Sequence, residues 1–370
     1  MTIQPITSFD TIARRVLYGL TFMYSVFAPV ESERADARSQ KKLHGLMGRM
    51  IDKLYENPKL LGLPMDADKA YEWRAINSSD PGLDKAYKAI FKRLYDFYQF
   101  LYITSLRGEL HAQGLFVSGA ILKESKTGYR PPYQALLAEV GITVEKGKTG
   151  VTLLAESDIV QGFRLLAEKV PVDVNPWTPY ALMNFACCSF TGDFSCLLAR
   201  MDSVRNLNGL LLNVQDKCLQ SGYEKGFQCG FGPSGFDFSV TFRRGAGGFV
   251  FGYYPRKAWQ FAFGSMNGIG LKAMLEDFEN LDQALQTYLM GVCKTCDGCF
   301  FCAKGGRNRI FAVKVKHGGR DYTLCPDTYA RQNWATLTPD LAAALFTYHA
   351  AQETYGSDWK RKGDGYFAEL

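Results

Sequence analysis

Half of the cysteines in this 370-residue chain are concentrated near its C-terminal end. Four of them follow one another at three-residue steps, and a fifth lies further along and directly precedes a proline. A chain of this length buries its own hydrophobic cores and needs no disulfide scaffold, so cysteines at this spacing indicate thiolate ligands. We therefore predict a metal ion or a metal cluster here. The five candidate ligands are Cys293, Cys296, Cys299, Cys302 and Cys325.

The cysteine run is predicted to form a loop, not a helix. In a helix each three-residue step lags the helical period by about 60°, so Cys293 and Cys302 would lie on opposite faces and could not bind one ion. Gly298 lies inside the run, and Gly305-Gly306 follow it. Glycines permit the tight turns in which backbone N–H groups point toward thiolates. We therefore expect a knuckled loop.

A β-hairpin is predicted after this loop. Residues 309–316 alternate between polar and apolar side chains as a strand does, and residues 321–324 lead back toward the loop. The turn is predicted at residues 317–320, which places His317 at the hairpin tip, away from the site. The hairpin would return Cys325 to the first loop and close the site.

Together, the loop and the hairpin resemble a zinc ribbon. Cys299 and Cys302 correspond to the Cys-x2-Cys knuckle of that family, and Cys325-Pro326 corresponds to the start of its second knuckle. The second knuckle departs from the pattern, because Thr328 stands where its second cysteine would fit the usual spacing. The resemblance implies a Zn²⁺ site with four thiolates, which one of the two earlier cysteines of the run would have to complete.

An iron–sulfur cluster is the alternative metal. Cys293, Cys296 and Cys299 form a C-x2-C-x2-C run, and a remote Cys-Pro supplies the fourth ligand in ferredoxin-like single-cluster sites. Cys325 matches that remote position, which leaves Cys302 without a role in a 4Fe-4S site. Reactive or redox thiols without a metal are a third interpretation. Zinc is the favoured metal, and the choice of four ligands among five cysteines stays open.

Basic residues surround the cysteines. Eight basic and three acidic residues lie between residues 291 and 332, so this segment accounts for most of the net charge of +6 that the whole chain carries. These cations could offset the net charge of about −2 that four thiolates leave around Zn²⁺, or they could face an external anion such as a nucleic-acid backbone. The candidate anion-binding residues are Lys304, Arg307, Arg309, Lys314, Lys316 and Arg320.

The rest of the chain has the patterns of an α+β protein. Its 47% hydrophobic and 22% charged residues are ordinary for a globular protein and exclude intrinsic disorder. We predict a helical region at residues 1–125 and an α+β core with aromatic-rich antiparallel strands at residues 126–290. Residues 291–370 are predicted to hold the cysteine-rich, ribbon-like metal module and a C-terminal helix.

Hydrophobic periodicity places the main elements. Apolar residues recur at helical spacing in residues 43–55 and 87–102. They alternate with polar residues in segments 236–242, 249–254 and 259–263, which predicts three strands of an antiparallel sheet. The central sheet and the N-terminal helices follow from these two periods.

A helix–hairpin–helix order is predicted between residues 131 and 170. The first helix should end at Gly141, the hairpin strands should span residues 142–145 and 150–154, and the second helix should begin near Ser157. This order is typical of a plain α+β layer, which we favour, and also of a small winged nucleic-acid-binding unit.

The apolar segment 16–30 follows Arg14-Arg15 and has the order of a signal peptide. Tyrosine, threonine and serine residues dilute it, and it is too short to span a bilayer. We expect a buried helix there, no transmembrane segment, and a cytoplasmic protein whose cysteines stay reduced.

No catalytic constellation can be assigned. The chain has four histidines, and it contains no HExxH motif or paired-carboxylate motif. Whether the protein is an enzyme therefore stays open, as does its oligomeric state. We expect a metal-binding protein with structural zinc and a binding or regulatory role, with nucleic acid or another anionic partner at the basic hairpin. The alternative is an iron–sulfur oxidoreductase or electron-transfer protein.

Overall fold

A computed structural model of the chain has the mixed α+β architecture that the sequence predicts. The chain divides into two compact units. The domain boundaries that the sequence predicts after residues 125 and 290 stay predictions. The first unit comprises Met1–Leu197, Phe231–Phe238 and Tyr253–Ala258, and the second comprises Leu198–Gly230, Ser239–Gly252 and Trp259–Leu370. The structure describes residues 11–63, 81–111, 114–170, 184–193, 196–205, 209, 228–231, 236, 238–244, 247–256, 258–263, 274–296, 312–325, 331–333, 338, 340–341 and 344.

Helices of the first unit form where apolar residues recur at helical spacing. The predicted helices over residues 43–55 and 87–102 are confirmed, and each extends beyond its apolar stripe. Two of them begin with a proline, because the proline ring fixes φ near the helical value and the N–H of the first helical residue makes no hydrogen bond within the helix. The helices are α1 (Ile12–Met23), α2 (Ala37–Glu56), α3 (Pro81–Arg107), α4 (Gly119–Glu124), α5 (Pro131–Glu139) and α6 (Ser157–Lys169), with a 3₁₀ turn at Pro58–Leu61.

The core of the first unit lies between four of these helices. Helix α1 packs against α2 and α3, and α6 packs against α2 and α3. Leu17, Met47, Ile90 and Leu166 from the four helices are fully buried. Removing such side chains from water is the main free-energy gain that holds the helices together.

Helix α1 ends earlier than its apolar sequence predicts. Thr11 caps its start, where the side-chain oxygen accepts a hydrogen bond from the Arg14 N–H at 3.3 Å. The helix ends at Met23, because the next available N–H, that of Ser25, donates to the carbonyl of Cys187 at 2.9 Å. The Ser25 hydroxyl also donates to the Cys188 carbonyl at 2.8 Å. A distant loop therefore diverts the chain from the helical path.

A four-stranded antiparallel sheet completes the first unit. The predicted hairpin is confirmed between α5 and α6, where Gly141 has the expected left-handed φ of +87°. This hairpin also pairs with an outer hairpin that is not among the predicted strands, so it does not project as an isolated wing. The strands are β1 (Glu109–His111), β2 (Gly114–Ser118), β3 (Thr143–Lys146) and β4 (Gly150–Leu154), in the order β1-β2-β4-β3.

A five-stranded sheet lies mostly in the second unit. Three strands coincide with the predicted aromatic segments, and two shorter strands lie at its edges. The edge strand nearest the C-terminus pairs in antiparallel register, with Arg331 opposite Ala262. The strands are β5 (Gln228–Phe231), β6 (Phe238–Arg244), β7 (Gly247–Tyr254), β8 (Ala258–Phe263) and β12 (Arg331–Asn333), in the order β12-β8-β7-β6-β5, and a helix α7 (Cys196–Arg205) precedes them.

The cysteine segment follows a 3₁₀ turn and a helix. A 3₁₀ turn (Phe278–Asn280) is followed by helix α8 (Gln283–Val292), which Asp282 caps by accepting from the Ala284 N–H at 2.7 Å. A small sheet comes next, with the strand order β10-β11-β9. Its strands are β9 (Lys294–Thr295), β10 (Val313–His317) and β11 (Arg320–Cys325).

Two further features bear on the sequence predictions. The Thr338 hydroxyl accepts a hydrogen bond from the Leu341 N–H at 3.1 Å, as a helix-capping residue does, and the rest of the predicted C-terminal helix lies outside the described residues. Among the helices that the structure describes, none combines the length and the hydropathy needed to cross a bilayer.

Candidate metal centre

Strand β9 connects the first two cysteines of the run, Cys293 and Cys296, to Cys325 on β11. It lies between Cys293 and Cys296 and pairs antiparallel with β11, where Lys294 is opposite Cys325. The Cys296 N–H extends this pairing by donating to the Thr323 carbonyl at 2.8 Å. The predicted return of the hairpin to the first loop is therefore present in the structure. It brings Cys293, Cys296 and Cys325 to one end of the small sheet.

The hairpin that returns Cys325 is held by its turn. Gly318 and Gly319 connect the two strands and have φ angles of +56° and +77°. Two consecutive positive φ values define the turn that best matches strand twist in a two-residue hairpin, and glycine adopts them without steric cost. The register that follows pairs Lys316 with Asp321 and Lys314 with Thr323.

Alternation along the hairpin separates its two faces. Val315 and Leu324 are 5% and 2% exposed, whereas Lys314 and Lys316 are exposed. Since side chains alternate along a strand, Cys325 lies on the same face of β11 as the partners of these lysines. Lys314 and Lys316 therefore share one face of β10.

The three described thiols of the cysteine module differ in burial. Cys293 is 7% exposed and Cys296 is 9% exposed, whereas Cys325 is partly exposed at the end of its strand. Cys293 is also the residue that ends helix α8, and its N–H donates to the Leu289 carbonyl at 2.9 Å. Both ends of the Cys-x2-Cys segment are thus positioned by backbone hydrogen bonds, one to the helix and one to β11.

These three thiols do not by themselves make a complete site. Within the part of the chain that the structure describes, no three histidine, cysteine, aspartate or glutamate side chains are grouped closely enough to hold a metal ion. Cys299 and Cys302, which would supply the remaining thiolates, lie outside the described residues, as do the predicted cations Lys304, Arg307 and Arg309. The choice among five ligands stays a prediction.

Two other cysteines, Cys187 and Cys188, have a structural position. Cys187 and Cys188 are fully buried in the first unit, and burial raises the pKa of the Cys188 thiol far above its ordinary value. A thiol that stays protonated is a poor nucleophile and a poor metal ligand. The carbonyls of these two residues, not their sulfur atoms, accept the hydrogen bonds from Ser25 that end helix α1.

The described histidines show no catalytic arrangement. His44 is held in the first unit, with Nε2 2.8 Å from the Ser25 carbonyl and Nδ1 2.7 Å from the Tyr24 hydroxyl. His317 ends β10, and its ring lies 5.8 Å from that of Phe278 in an edge-to-face contact, as suits the predicted turn residue. No family model, curated protein or solved structure matches the chain. Function is therefore inferred from the cysteine module and its charges.

Proposed function

We propose that this protein binds a structural zinc ion at the cysteine module and uses the adjacent basic hairpin to contact an anionic polymer, with nucleic acid as the partner. The setting we propose is the cytoplasm, where cysteines stay reduced. The role in this proposal is binding or regulation.

One observation carries the proposal. Pairing of β9 with β11 joins Cys293 and Cys296 to Cys325 across a gap of about thirty residues in sequence. A two-residue strand contributes little stability of its own, since short isolated pairings are marginal in water. A zinc ion bound by cysteines from both sides would cross-link the segment, and binding of structural zinc supplies folding free energy directly.

Metal analysis of the full chain, purified without oxygen, tests the metal. We expect about one zinc per chain and a colourless protein, because Zn²⁺ has a filled d shell. Iron and sulfide with a brown colour would replace this proposal by the iron–sulfur alternative, with Cys293, Cys296, Cys299 and Cys325 as ligands. A protein without stoichiometric metal would overturn both.

The position of the cations separates the two roles that they could have. Lys314 is one register step from Cys325 on the same face, which places their Cα atoms about 7–8 Å apart. Lys316 and Arg320 lie further toward the hairpin tip, with Arg320 five residues and therefore about 17 Å along β11 from Cys325. Screening in physiological salt acts over about 8 Å. Arg320 is therefore too far away to offset thiolate charge.

The tip of the hairpin is accordingly the proposed contact with the partner. Lys316 and Arg320 are exposed on opposite faces of the hairpin beside its turn, and Asp321 opposite Lys316 offsets part of the charge of the lysine. These two exposed cations form a contact for phosphate oxygens. Such contacts raise the affinity for nucleic acid but do not select a base sequence.

Replacing Lys316 and Arg320 together by alanine should weaken binding of double-stranded DNA and lower the slope of log affinity against log salt by about two units. Electrophoretic mobility shift at several salt concentrations measures both quantities. Zinc content should not change. The matched control replaces Lys85 and Lys88, two exposed lysines of α3, by alanine and removes the same charge elsewhere. Equal losses in both double variants, or no loss in either, would contradict the hairpin contact.

A further inference from the structure

Two short helices of the first unit lead directly into a β-hairpin. Strand β2 is followed by α4, α5 and then the hairpin β3–β4, and these three strands pair in the order β2-β4-β3. Helix α3 precedes them and packs against both β2 and α4. A strand, two helices and a hairpin that pairs back onto the strand form the order of a winged helix–turn–helix unit. In helix–turn–helix units the second short helix, here α5, is the one that faces DNA.

Helix α5 is fixed through one face and leaves the other face exposed. Tyr133 is fully buried, and its ring lies 5.1 Å from that of Phe97 on α3. The acidic residue of α5, Glu139, is at its last position, where its carboxylate lies 3.8 Å from the Lys53 ammonium. A helix with small side chains can enter the major groove of B-DNA, which is about 12 Å wide. The exposed face of α5 carries such uncharged side chains, namely Gln134, Ala135 and Ala138.

The hairpin that follows α5 presents positive charge at its turn. Lys146 and Lys148 are exposed, and within the part of the chain that the structure describes neither lysine forms an ion pair. Glu145 is the acidic residue of β3, and it lies on the face opposite to Lys146, because neighbouring side chains on a strand alternate. The turn therefore offers two cations to an external anion.

Backbone hydrogen bonds hold this turn in a defined position. The Gly147 N–H donates to the Gly150 carbonyl at 2.9 Å and closes the turn. The Gly119 N–H, at the start of α4, donates to the Thr149 carbonyl at 2.8 Å. Helix α5 packs against β3, whose four residues span about 10 Å up to Lys146. This length is comparable with the width of the major groove, so the cations can reach the phosphates that border a groove occupied by α5.

We propose that α5 and the turn of the β3–β4 hairpin form a contact for double-stranded DNA in the first unit. The exposed face of α5 lies in the major groove, and Lys146 and Lys148 contact phosphates beside it. The phosphate contacts raise the affinity, and the helix face supplies sequence preference, since bases are read from the groove. This contact goes beyond the proposed function, because it requires neither the metal nor Lys316 and Arg320.

Replacing Lys146 and Lys148 together by alanine in the full chain tests the phosphate contacts. Fluorescence anisotropy with duplex DNA should show binding that is weaker by roughly tenfold near physiological salt, and the slope of log affinity against log salt should fall by about two units. The urea midpoint should not change, since both side chains are exposed. The matched control replaces Lys85 and Lys88 by alanine, removes the same charge from α3 and should bind as the unmodified chain does.

Ala135→Glu tests the exposed face of α5. It places a negative charge on the surface that enters the groove, and glutamate suits a helix nearly as well as alanine does. Duplex binding should weaken about tenfold or more, with an unchanged urea midpoint. Ala37→Glu adds the same charge at an exposed position of α2 and is the control, which should bind as the unmodified chain does.

Three results would overturn this contact. They are equal duplex affinities of the Lys146/Lys148 variant and its lysine control, equal affinities of the two glutamate variants, and binding of a single strand as tight as that of the duplex. Loss of binding only on replacement of Lys316 and Arg320 would support the proposed function and overturn the contact at α5. Loss only in the Lys146/Lys148 variant would support α5 and overturn the contact at the basic hairpin. A full chain that binds no DNA would overturn both.

Discussion

Replacing Cys296 by serine should release the metal from the cysteine module. Structural zinc sites of four ligands contribute an apparent 10–16 kcal/mol or so, so one ligand accounts for roughly 3 kcal/mol, or about a hundredfold in affinity. Serine cannot replace the thiolate, because its hydroxyl stays protonated at neutral pH. Zinc per chain after dialysis against a chelator measures the loss.

The same substitution should loosen the small sheet and leave the first unit intact. Cys296 both supplies a thiol and donates its N–H to Thr323, and serine retains the N–H. Any loss of protection in β10 and β11 therefore reports the missing metal and not a missing backbone bond. Hydrogen exchange of these amides, compared with those of α2 and α3, distinguishes a local effect from general unfolding.

Cys196→Ser is the control for this experiment. Cys196 is a partly exposed cysteine at the start of α7 and is not part of the run. We expect this variant to keep its zinc and its hydrogen-exchange pattern. Retention of metal by Cys296→Ser, or its loss from Cys196→Ser to the same extent, would count against the proposed ligand set.

A second large effect is expected at Gly19 in the middle of α1. In an exposed helix, replacing glycine by alanine stabilises the fold by about 1 kcal/mol. At Gly19, however, a methyl group would overlap the backbone carbonyl oxygen of Phe236, and the Tyr253 ring lies 3.6 Å away. Backbone atoms cannot rotate aside as the end of a side chain can. Gly19→Ala should therefore destabilise the protein by about 3 kcal/mol, the upper range for overpacking.

Gly45 provides the matched comparison on α2. It is exposed, and a methyl group there would meet only the Arg49 guanidinium at 3.8 Å, an ordinary contact distance. Gly45→Ala should stabilise the protein by about 1 kcal/mol. Urea unfolding followed by circular dichroism should thus show midpoints that move in opposite directions. A rise of the midpoint for Gly19→Ala would mean that α1 and the segment at Phe236 do not approach as described.

Elements with a full period of apolar residues could be predicted from the sequence, and the shortest elements could not. The stripes of α2 and α3 and the alternation in β6–β8 extend over enough residues to identify their type. Strands β9 and β12 contain two and three residues, too few to show a period. They exist because β11 and β8 offer hydrogen-bonding partners, which no local pattern records.

The candidate metal centre likewise has some features that the sequence predicts and others that only the structure shows. Residue types and spacing alone predict that cysteines are ligands and locate the basic hairpin. The approach of Cys296 to Thr323, and the distance between Cys325 and Arg320, follow from the strand register. The sequence patterns left two explanations for the local positive charge, and the register adds the distances between Cys325 and the cations on which the proposed anion contact is argued.

What the sequence alone determines about this protein is therefore where its chemical groups lie: five thiols in one segment, the net positive charge around them and the faces of its long helices. Tertiary structure decided the rest. Gly19 lies against the backbone of Phe236, so the tertiary structure requires glycine there, and Lys92, Lys126 and Arg130 line one cavity. Both depend on which distant segments approach each other. Packing sets that approach, and residue periodicity does not encode it.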